Sequence, residues 1–183
     1  MFDLVMGLLL FVVLVIPMLL VAFAVIFTSK GNAFYWSDRV GRKNTIFRMP
    51  KFRTMKLDTP DMATHLMNSP DVFLSSVGGF LRSTSLDELP QLFSILKGDM
   101  SFVGPRPALF NQYDLIAMRT EKGVDQLVPG LTGWAQINGR DKLPIPEKVA
   151  LDMVYMKRQS FWFDLKILWM TLLKVIRKDG VSH

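Results

Sequence analysis

The stretch from Leu4 to Phe27 contains 24 consecutive residues without a charged side chain, and it limits the possible folds more than any other feature. A straight helix needs about 20 such residues to cross the hydrocarbon core of a bilayer, so the stretch predicts a membrane helix. Lys30, Arg39, Arg42 and Lys43 follow it, whereas it lacks the basic start and the small-residue cleavage site of a secretory signal. Basic flanks stay in the cytoplasm, which predicts a cytoplasmic position for the rest of the chain.

Pro17 lies in the middle of this stretch. A proline inside a helix removes the hydrogen bond to the carbonyl four residues earlier and pushes against that turn, so we expect a kink. The two arms, Leu4 to Ile16 and Met18 to Phe27, would each be about 15 to 20 Å long at 1.5 Å per residue, too short to cross alone. The residues leave two paths open, a re-entrant helix and a single span with a tolerated proline.

Composition excludes several kinds of site. The chain of 183 residues has the size of one domain, and it has no Cys and only two His. Disulfides, thiolate metal sites and histidine metal clusters are therefore excluded, and any metal must be bound by oxygen ligands. Residues 30–183 carry 22 basic and 15 acidic side chains, a net charge of +7. This surplus attracts nucleic acid, anionic lipid head groups or substrates that contain phosphate.

Short apolar pieces at residues 33–36 and 46–49, separated by a basic Gly-containing turn, predict a small β-hairpin. Lys51 and Arg53 then project from one side of an extended segment, either as phosphate ligands or as solvated charges. Near the C-terminus, residues 161–178 predict an amphipathic helix with two Trp on its apolar side. Such a helix fits a membrane interface, and the alternative is a helix that faces the core.

Asp87 and Glu88 are adjacent carboxylates and the strongest candidates for catalysis. Pro90 belongs in the first turn of a helix, because a proline in the interior would cost about 3 kcal/mol. The carboxylates would then lie beside a helix N-terminus, which favours their ionised form. An ionised Asp attacks phosphorus or binds Mg²⁺, and Arg82 is a candidate phosphate ligand. The alternative is a capping box in which Ser85 caps the helix and Glu88 reaches back.

Arg106 stands in the run Gly104-Pro105-Arg106-Pro107, where the prolines restrict the backbone on both sides. Its guanidinium would be presented with little conformational entropy to lose, which suits phosphate binding; the alternative is a turn with an exposed Arg. Residues 128–140 combine three glycines with Gln136 and Arg140 and could hold a nucleotide, although such runs are commonly only turns.

Four segments, in this order, closely resemble those of the bacterial sugar transferases known as monotopic phosphoglycosyl transferases. They are residues 51–55 (Lys-Phe-Arg-Thr-Met), 84–91 (Thr-Ser-Leu-Asp-Glu-Leu-Pro-Gln), 98–107 (Gly-Asp-Met-Ser-Phe-Val-Gly-Pro-Arg-Pro) and 129–136 (Pro-Gly-Leu-Thr-Gly-Trp-Ala-Gln). The resemblance runs from about Phe2 to Ile176, and four motifs in order make it specific.

The resemblance implies transfer of a phosphosugar from a UDP-sugar to polyprenyl phosphate, with release of UMP and a requirement for Mg²⁺. By motif match, Asp87 is the nucleophile, which forms a covalent aspartyl phosphosugar and binds the metal; Glu88 is the second catalytic residue. Asp152 matches another acidic position and would complete the metal or substrate site, although it could equally be a charge on a helix surface. The remaining candidates are expected to bind substrate or its phosphates: Lys51, Arg53, Arg82, Arg106, Gln136 and Arg140.

Residues and resemblance together predict an α+β, predominantly helical chain with a membrane helix over residues 1–29 and a catalytic domain over residues 30–183. The resemblance favours the re-entrant path, broken at Pro17, and a catalytic domain on the cytoplasmic face of the bacterial inner membrane. The expected partners are a UDP-sugar, polyprenyl phosphate and the lipid bilayer, without nucleic acid, and the sequence does not indicate an oligomeric state. The alternative function is a membrane-anchored basic module that binds anionic lipid or nucleic acid without catalysis.

Overall fold

The structure is a computed structural model, and it describes residues 2–29, 31–56, 59, 70–139 and 143–177. The helices are α1 (Phe2–Ser29), α2 (Gly78–Ser83), α3 (Gln91–Lys97), α4 (Tyr113–Glu121), α5 (Trp134–Ile137), α6 (Ile145–Arg158) and α7 (Phe161–Arg177). The strands are β1 (Phe34–Val40), β2 (Ile46–Phe52), β3 (Ser101–Val103) and β4 (Gly130–Thr132). The predominance of helix, the small antiparallel hairpin of β1 and β2, and the apolar N-terminal helix confirm the prediction.

Helix α1 runs from Phe2 to Ser29 as a single helix with Pro17 inside it. The two predicted arms are therefore not separate helices, and the re-entrant path stays a prediction. At 1.5 Å per residue α1 is about 42 Å long, more than the roughly 30 Å of a hydrocarbon core. Its most apolar 18-residue window has a mean hydropathy of 3.2, and 11% of that window is buried. Most of its apolar surface is thus uncovered.

The chain divides into two compact units. Among the described residues, the first unit contains the chain up to Ser37 and Met49–Phe93, and the second contains Asp38–Arg48 and the chain from Ser94 onward. The predicted boundary after residue 29 concerns placement in the membrane, and it stays a prediction.

The core of the first unit forms along one side of α1. Met18 and Val25 are buried together with Phe52 and Leu81. We call these four residues the α1 cluster. Three more residues of α1 pack against the cluster from the same side of the helix, at helical spacing: Leu14, Val21 and Ala22. The opposite side of α1 remains exposed, as at Leu20.

In the second unit, the two short strands β3 and β4 pair in parallel, with Val103 opposite Thr132. The predicted amphipathic helix is observed as α7, and it buries Phe163 and Ile167. Trp162 and Trp169 are instead 75% and 61% exposed. The exposed tryptophans favour the membrane-interface interpretation of this helix over the core-facing one.

Candidate active site

Asp87 and Glu88 lie on a single 3₁₀ turn, Leu86–Glu88, between α2 and α3. Pro90 directly precedes α3, so the carboxylates come just before a helix, as the proline predicts. Ser85 has a φ of 56°, in the left-handed region that few residues other than glycine adopt, and its side chain makes no capping hydrogen bond. The alternative capping box is therefore not formed. Asp87 is only 8% exposed.

The apolar neighbours of this carboxylate pair face α1. Leu86 and Leu89 both pack against the α1 cluster. In a 3₁₀ helix residues three apart lie on the same side, so the two leucines point together and leave Asp87 and Glu88 on the other sides of the turn. The sequence Leu-Asp-Glu-Leu thereby attaches a pair of carboxylates to the side of the apolar helix.

Two side-chain contacts join the turn region to the end of β2 and to the segment that follows it. Lys51 Nζ donates to Glu88 Oε1 at 2.8 Å, and both side chains are mostly buried. Arg82 Nε donates to Thr54 Oγ1 at 3.0 Å. The first two motifs of the sequence are thus in contact within the first unit, and the predicted cation Lys51 is the ion-pair partner of the predicted catalytic Glu88.

In the second unit, the third and fourth motifs are packed backbone against backbone. A Cβ on Gly130 would lie 2.1 Å from the nitrogen of Gly104, and a Cβ on Gly133 would lie 2.1 Å from the oxygen of Gly104. A Cβ on Gly104 would itself lie 2.4 Å from the oxygen of Val128. Glycine is therefore required at these positions by the approach of another backbone. For residues 128–140 this packing fits the turn alternative, and nucleotide binding there stays a prediction.

We call residues 104–108 the Arg106 loop. Four successive carbonyl oxygens of this loop accept hydrogen bonds from other parts of the second unit. The donors are Gly130 N to Pro105 (2.9 Å), Arg119 Nη1 to Arg106 (2.8 Å), Arg39 Nη1 to Pro107 (3.3 Å) and Val40 N to Ala108 (2.9 Å). Because Pro105 and Pro107 have no N–H group, carbonyls are the principal groups by which this loop can be fixed. The backbone that carries Arg106 is thus bound on both sides and at Arg106 itself.

Asp152 is buried on α6, 1% exposed, and pairs with Arg119 of α4. Arg119 donates to its Oδ2 through Nε at 3.0 Å and through Nη2 at 2.7 Å. Burial raises the pKa of the Asp152 carboxyl, and the charge and hydrogen bonds of Arg119 oppose that increase. A buried carboxylate already matched by a guanidinium does not suit Mg²⁺, which keeps several of its waters. The metal role of Asp152 stays a prediction that this pairing does not support.

The other predicted residues are distributed over both units. Arg53 lies in the first, and its Nε donates to the carbonyl of Asn32 at 3.1 Å. Gln136 lies in the second on α5, where it is buried, and neither polar atom of its amide has a hydrogen-bond partner among the described residues. Arg140 lies outside the described residues. Their substrate-binding roles stay predictions.

On the turn Leu86–Glu88, Asp87 is the remaining predicted ligand of Mg²⁺. Within the described residues no three Asp, Glu or His side chains are grouped as a metal site. Proteins usually bind Mg²⁺ through one or two carboxylates together with substrate phosphates. The Asp87 carboxylate fits that pattern, whereas Glu88 is already paired with Lys51, and the Mg²⁺ requirement stays a prediction.

Arg119 is not among the predicted site residues, although the sequence contains a signal for it. Arg119 lies four residues after Leu115 on the buried side of α4, and Asp152 lies three residues after Val149 on the buried side of α6. A charged residue within the apolar stripe of each of two helices, with opposite signs, is typical of a buried ion pair.

Comparison with known proteins identifies the family. The sequence matches the bacterial sugar transferase family over residues 1–178. An uncharacterized sugar transferase of Bacillus subtilis, EpsL, is 43% identical over 153 residues, which cover 82% of this chain and 73% of EpsL. The undecaprenyl-phosphate galactose phosphotransferase of Salmonella typhimurium is 34% identical over 197 residues, 98% of this chain and 40% of that protein.

A third relative is the UDP-glucose:undecaprenyl-phosphate glucose-1-phosphate transferase of Escherichia coli, 38% identical over 161 residues, 84% of this chain and 35% of that protein. The chain therefore spans less than half the length of these two phosphotransferases. The family match, in contrast, extends over nearly the whole chain. This chain belongs to the bacterial sugar transferase family.

Proposed function

We propose that the protein transfers a sugar-1-phosphate from a UDP-sugar to undecaprenyl phosphate and releases UMP. Family membership and the names of the Salmonella and Escherichia relatives support the reaction class. The observation that carries the proposal is the packing of Leu86 and Leu89 on the α1 cluster. That packing keeps the carboxylates beside an apolar helix, where a reaction between a soluble nucleotide sugar and a lipid phosphate requires them.

The contacts of α1 support a shallow, re-entrant position in the membrane. Residues from Leu14 to Val25 pack against Phe52 and Leu81 of the same unit, over about 16 Å at 1.5 Å per residue. If α1 crossed the bilayer directly, this length would place those partners at hydrocarbon depth. A path that enters and leaves on one face lets the first unit rest at the surface, and basic flanks favour the cytoplasmic face.

In the first step, a carboxylate oxygen of Asp87 attacks the phosphorus that bears the sugar. The bond between that phosphorus and the bridging oxygen of the diphosphate breaks, and UMP leaves with the electron pair. An aspartyl phosphosugar results. In the second step, an oxygen of undecaprenyl phosphate attacks the same phosphorus, and the electron pair of the broken bond returns to Asp87. The product is undecaprenyl diphosphosugar, and Asp87 is restored.

The remaining residues bind and orient the reactants. Both nucleophiles are anions, so neither displacement needs a proton transfer, and we assign an orienting role to Glu88 with Lys51. Mg²⁺, when bound at Asp87, supplies charge that reduces the repulsion between carboxylate and phosphate. Arg106 binds phosphate oxygens through its guanidinium, and Arg82, whose Nε donates to Thr54 Oγ1, is the second and weaker candidate for that role.

The proposal is tested with the full chain in lipid nanodiscs. UDP-glucose and UDP-galactose are supplied with undecaprenyl phosphate and Mg²⁺, and UMP is quantified. We expect UMP from at least one donor and, without acceptor, a mass increase of one phosphosugar on the protein. Asp87→Asn should abolish the adduct and lower the rate by about 10³-fold or more, since the nucleophile is removed. Asp114→Asn, an exposed carboxylate on α4, serves as the matched control and should retain wild-type rate.

The other outcomes lead to different functions. No UMP from any donor would contradict the enzyme and favour a basic module that binds anionic lipid without turnover. Rapid turnover by Asp87→Asn, with no adduct on the wild type, would contradict the covalent route and favour direct transfer between the two substrates.

A further inference from the structure

We infer that Arg119 and Asp152 act as positioning residues that hold the Arg106 loop in its phosphate-binding conformation. This inference rests on the proposed function, because it assumes that Arg106 binds substrate phosphate. It assigns Asp152 to the support of an arginine, and it introduces Arg119, which the motifs do not mark.

The Arg106 loop is fixed through hydrogen bonds to its carbonyl oxygens. The backbone hydrogen bonds to Pro105 and Ala108 fix residues on either side of Arg106. Arg119 Nη1 donates to the carbonyl of Arg106 itself at 2.8 Å. Since the flanking prolines cannot donate, this side-chain contact is a principal constraint on the peptide group of Arg106.

The planar shape of the Arg119 guanidinium allows it to contact two partners at once. Arg119 uses Nε and Nη2 on Asp152 and Nη1 on the Arg106 carbonyl, so one planar group joins α4, α6 and the loop. A lysine at this position has a single nitrogen on a flexible stem and cannot reproduce that planar arrangement. Asp152 fixes the plane of the guanidinium and thereby the direction of its third donor.

Helix α6 also contacts the beginning of the loop. Tyr155 lies three residues after Asp152 on the buried side of α6. Its hydroxyl lies 2.9 Å from Asp164 Oδ1 and 3.2 Å from the carbonyl oxygen of Val103, so its single proton is shared between two acceptors. Val103 directly precedes the loop. Helix α6 therefore supports the loop at its start through Tyr155 and at Arg106 through Asp152 and Arg119.

Stability alone does not account for the Arg119–Asp152 pair. The side chains of Arg119 and Asp152 are 10% and 2% exposed, and they lie in apolar stripes of α4 and α6. Apolar residues of similar volume at such positions commonly give equal or greater stability than a buried ion pair. A requirement to direct one donor at the Arg106 carbonyl explains why charged residues are present.

The test is a double-mutant cycle with the full chain in nanodiscs, measured as kcat/KM for UMP release. Arg119→Lys should lower kcat/KM by about tenfold in the wild-type background. In an Arg106→Ala background the same substitution should lower it by less than about twofold, because its effect passes through Arg106. Asp152→Asn, which keeps an acceptor at the same position, should show the same dependence on Arg106. All rates are normalised to the monodisperse fraction.

Glu121→Gln is the matched control, since it removes an exposed ion pair with Lys122 on the same helix. It should leave kcat/KM unchanged in both backgrounds. Equal losses from Arg119→Lys in the two backgrounds would show a merely structural role and overturn the inference, as would wild-type kcat/KM in both Arg119→Lys and Asp152→Asn.

Hydrogen–deuterium exchange separates this inference from the proposed function, because it needs no substrate. Arg119→Lys should accelerate exchange in a peptide that covers residues 104–110 and leave a peptide over β2 unchanged. If the wild type releases no UMP, the proposed function fails and the exchange still decides whether the pair holds the loop. Unchanged exchange in residues 104–110 would overturn the inference whatever the activity.

Discussion

The two units hold their chemically important residues by different means. In the first unit, side chains hold the turn that carries Asp87 and Glu88: two leucines pack on the α1 cluster, and Lys51 pairs with Glu88. In the second unit, backbone atoms hold most of the Arg106 loop, through glycines that meet another backbone and through successive carbonyls. Arg119 is a side-chain contact on that loop, and it too binds a main-chain oxygen.

The difference predicts different sensitivities to substitution. A loop held by its backbone tolerates changes of most side chains and fails when a glycine acquires a Cβ. A turn held by apolar packing on α1 depends on that helix and on the lipid or detergent around it. Reactivity at Asp87 should therefore respond to the membrane environment more strongly than the conformation of the Arg106 loop.

Gly130→Ala should have the largest effect. The new Cβ would lie 2.1 Å from the nitrogen of Gly104, and the contact atoms are backbone that cannot rotate away. We expect a loss of about 3 kcal/mol or more in the free energy of unfolding, measured by denaturation in nanodiscs. Gly79→Ala is the control: its nearest atom, Leu74 Cδ1, is 3.9 Å away, and stability should change by less than about 1 kcal/mol. Equal stability of both variants would refute the backbone packing.

Met18→Ala tests the apolar support of the first unit and should rank second. Met18 is 6% exposed in the α1 cluster, so truncation should cost about 2 to 3 kcal/mol of unfolding free energy and slow UMP release. Leu20→Ala changes the opposite side of the same helix, where Leu20 is 66% exposed, and should change both quantities little. The measurements are thermal midpoint and rate in nanodiscs. Similar losses of stability and rate in Met18→Ala and Leu20→Ala would mean that α1 does not pack on the first unit through one particular face.

Local rules predict much of this structure from the sequence. Pro90 predicts that the carboxylates lie just before a helix, because a proline is tolerated at the start of a helix but not in its interior. Alternating apolar pieces around a basic turn predicted the hairpin, and helical spacing predicted α7. These predictions succeed because they depend on neighbours within a few residues.

Features that depend on distant residues escaped prediction. Arg119 and Asp152 are 33 positions apart, and their pairing is decided by how α4 and α6 pack. Gly130 and Gly133 indicate that another group approaches the backbone at these positions. The sequence does not show whether that group is a ligand or another segment of the chain. Ser85 adopts a left-handed conformation for which serine has little intrinsic preference, so tertiary contacts select it.

Lys51→Ala should have the smallest effect on stability and still alter the reaction. The Lys51–Glu88 pair is mostly but not fully buried, so its loss should cost about 1 kcal/mol of unfolding free energy. The rate should fall by about tenfold, because Glu88 loses the partner that orients it beside Asp87. Denaturation and UMP release measure the two quantities separately.

Lys97→Ala provides the matched control, since it removes an ion pair with Asp99 in which the lysine side chain is 74% exposed. It should change neither quantity, because exposed pairs contribute little. Lys51→Arg keeps the charge and should recover part of the rate. Equal rates of UMP release for Lys51→Ala and Lys97→Ala would contradict an orienting role for the Lys51–Glu88 pair. The carboxylate turn would then be held in place by the two leucines rather than by the ion pair.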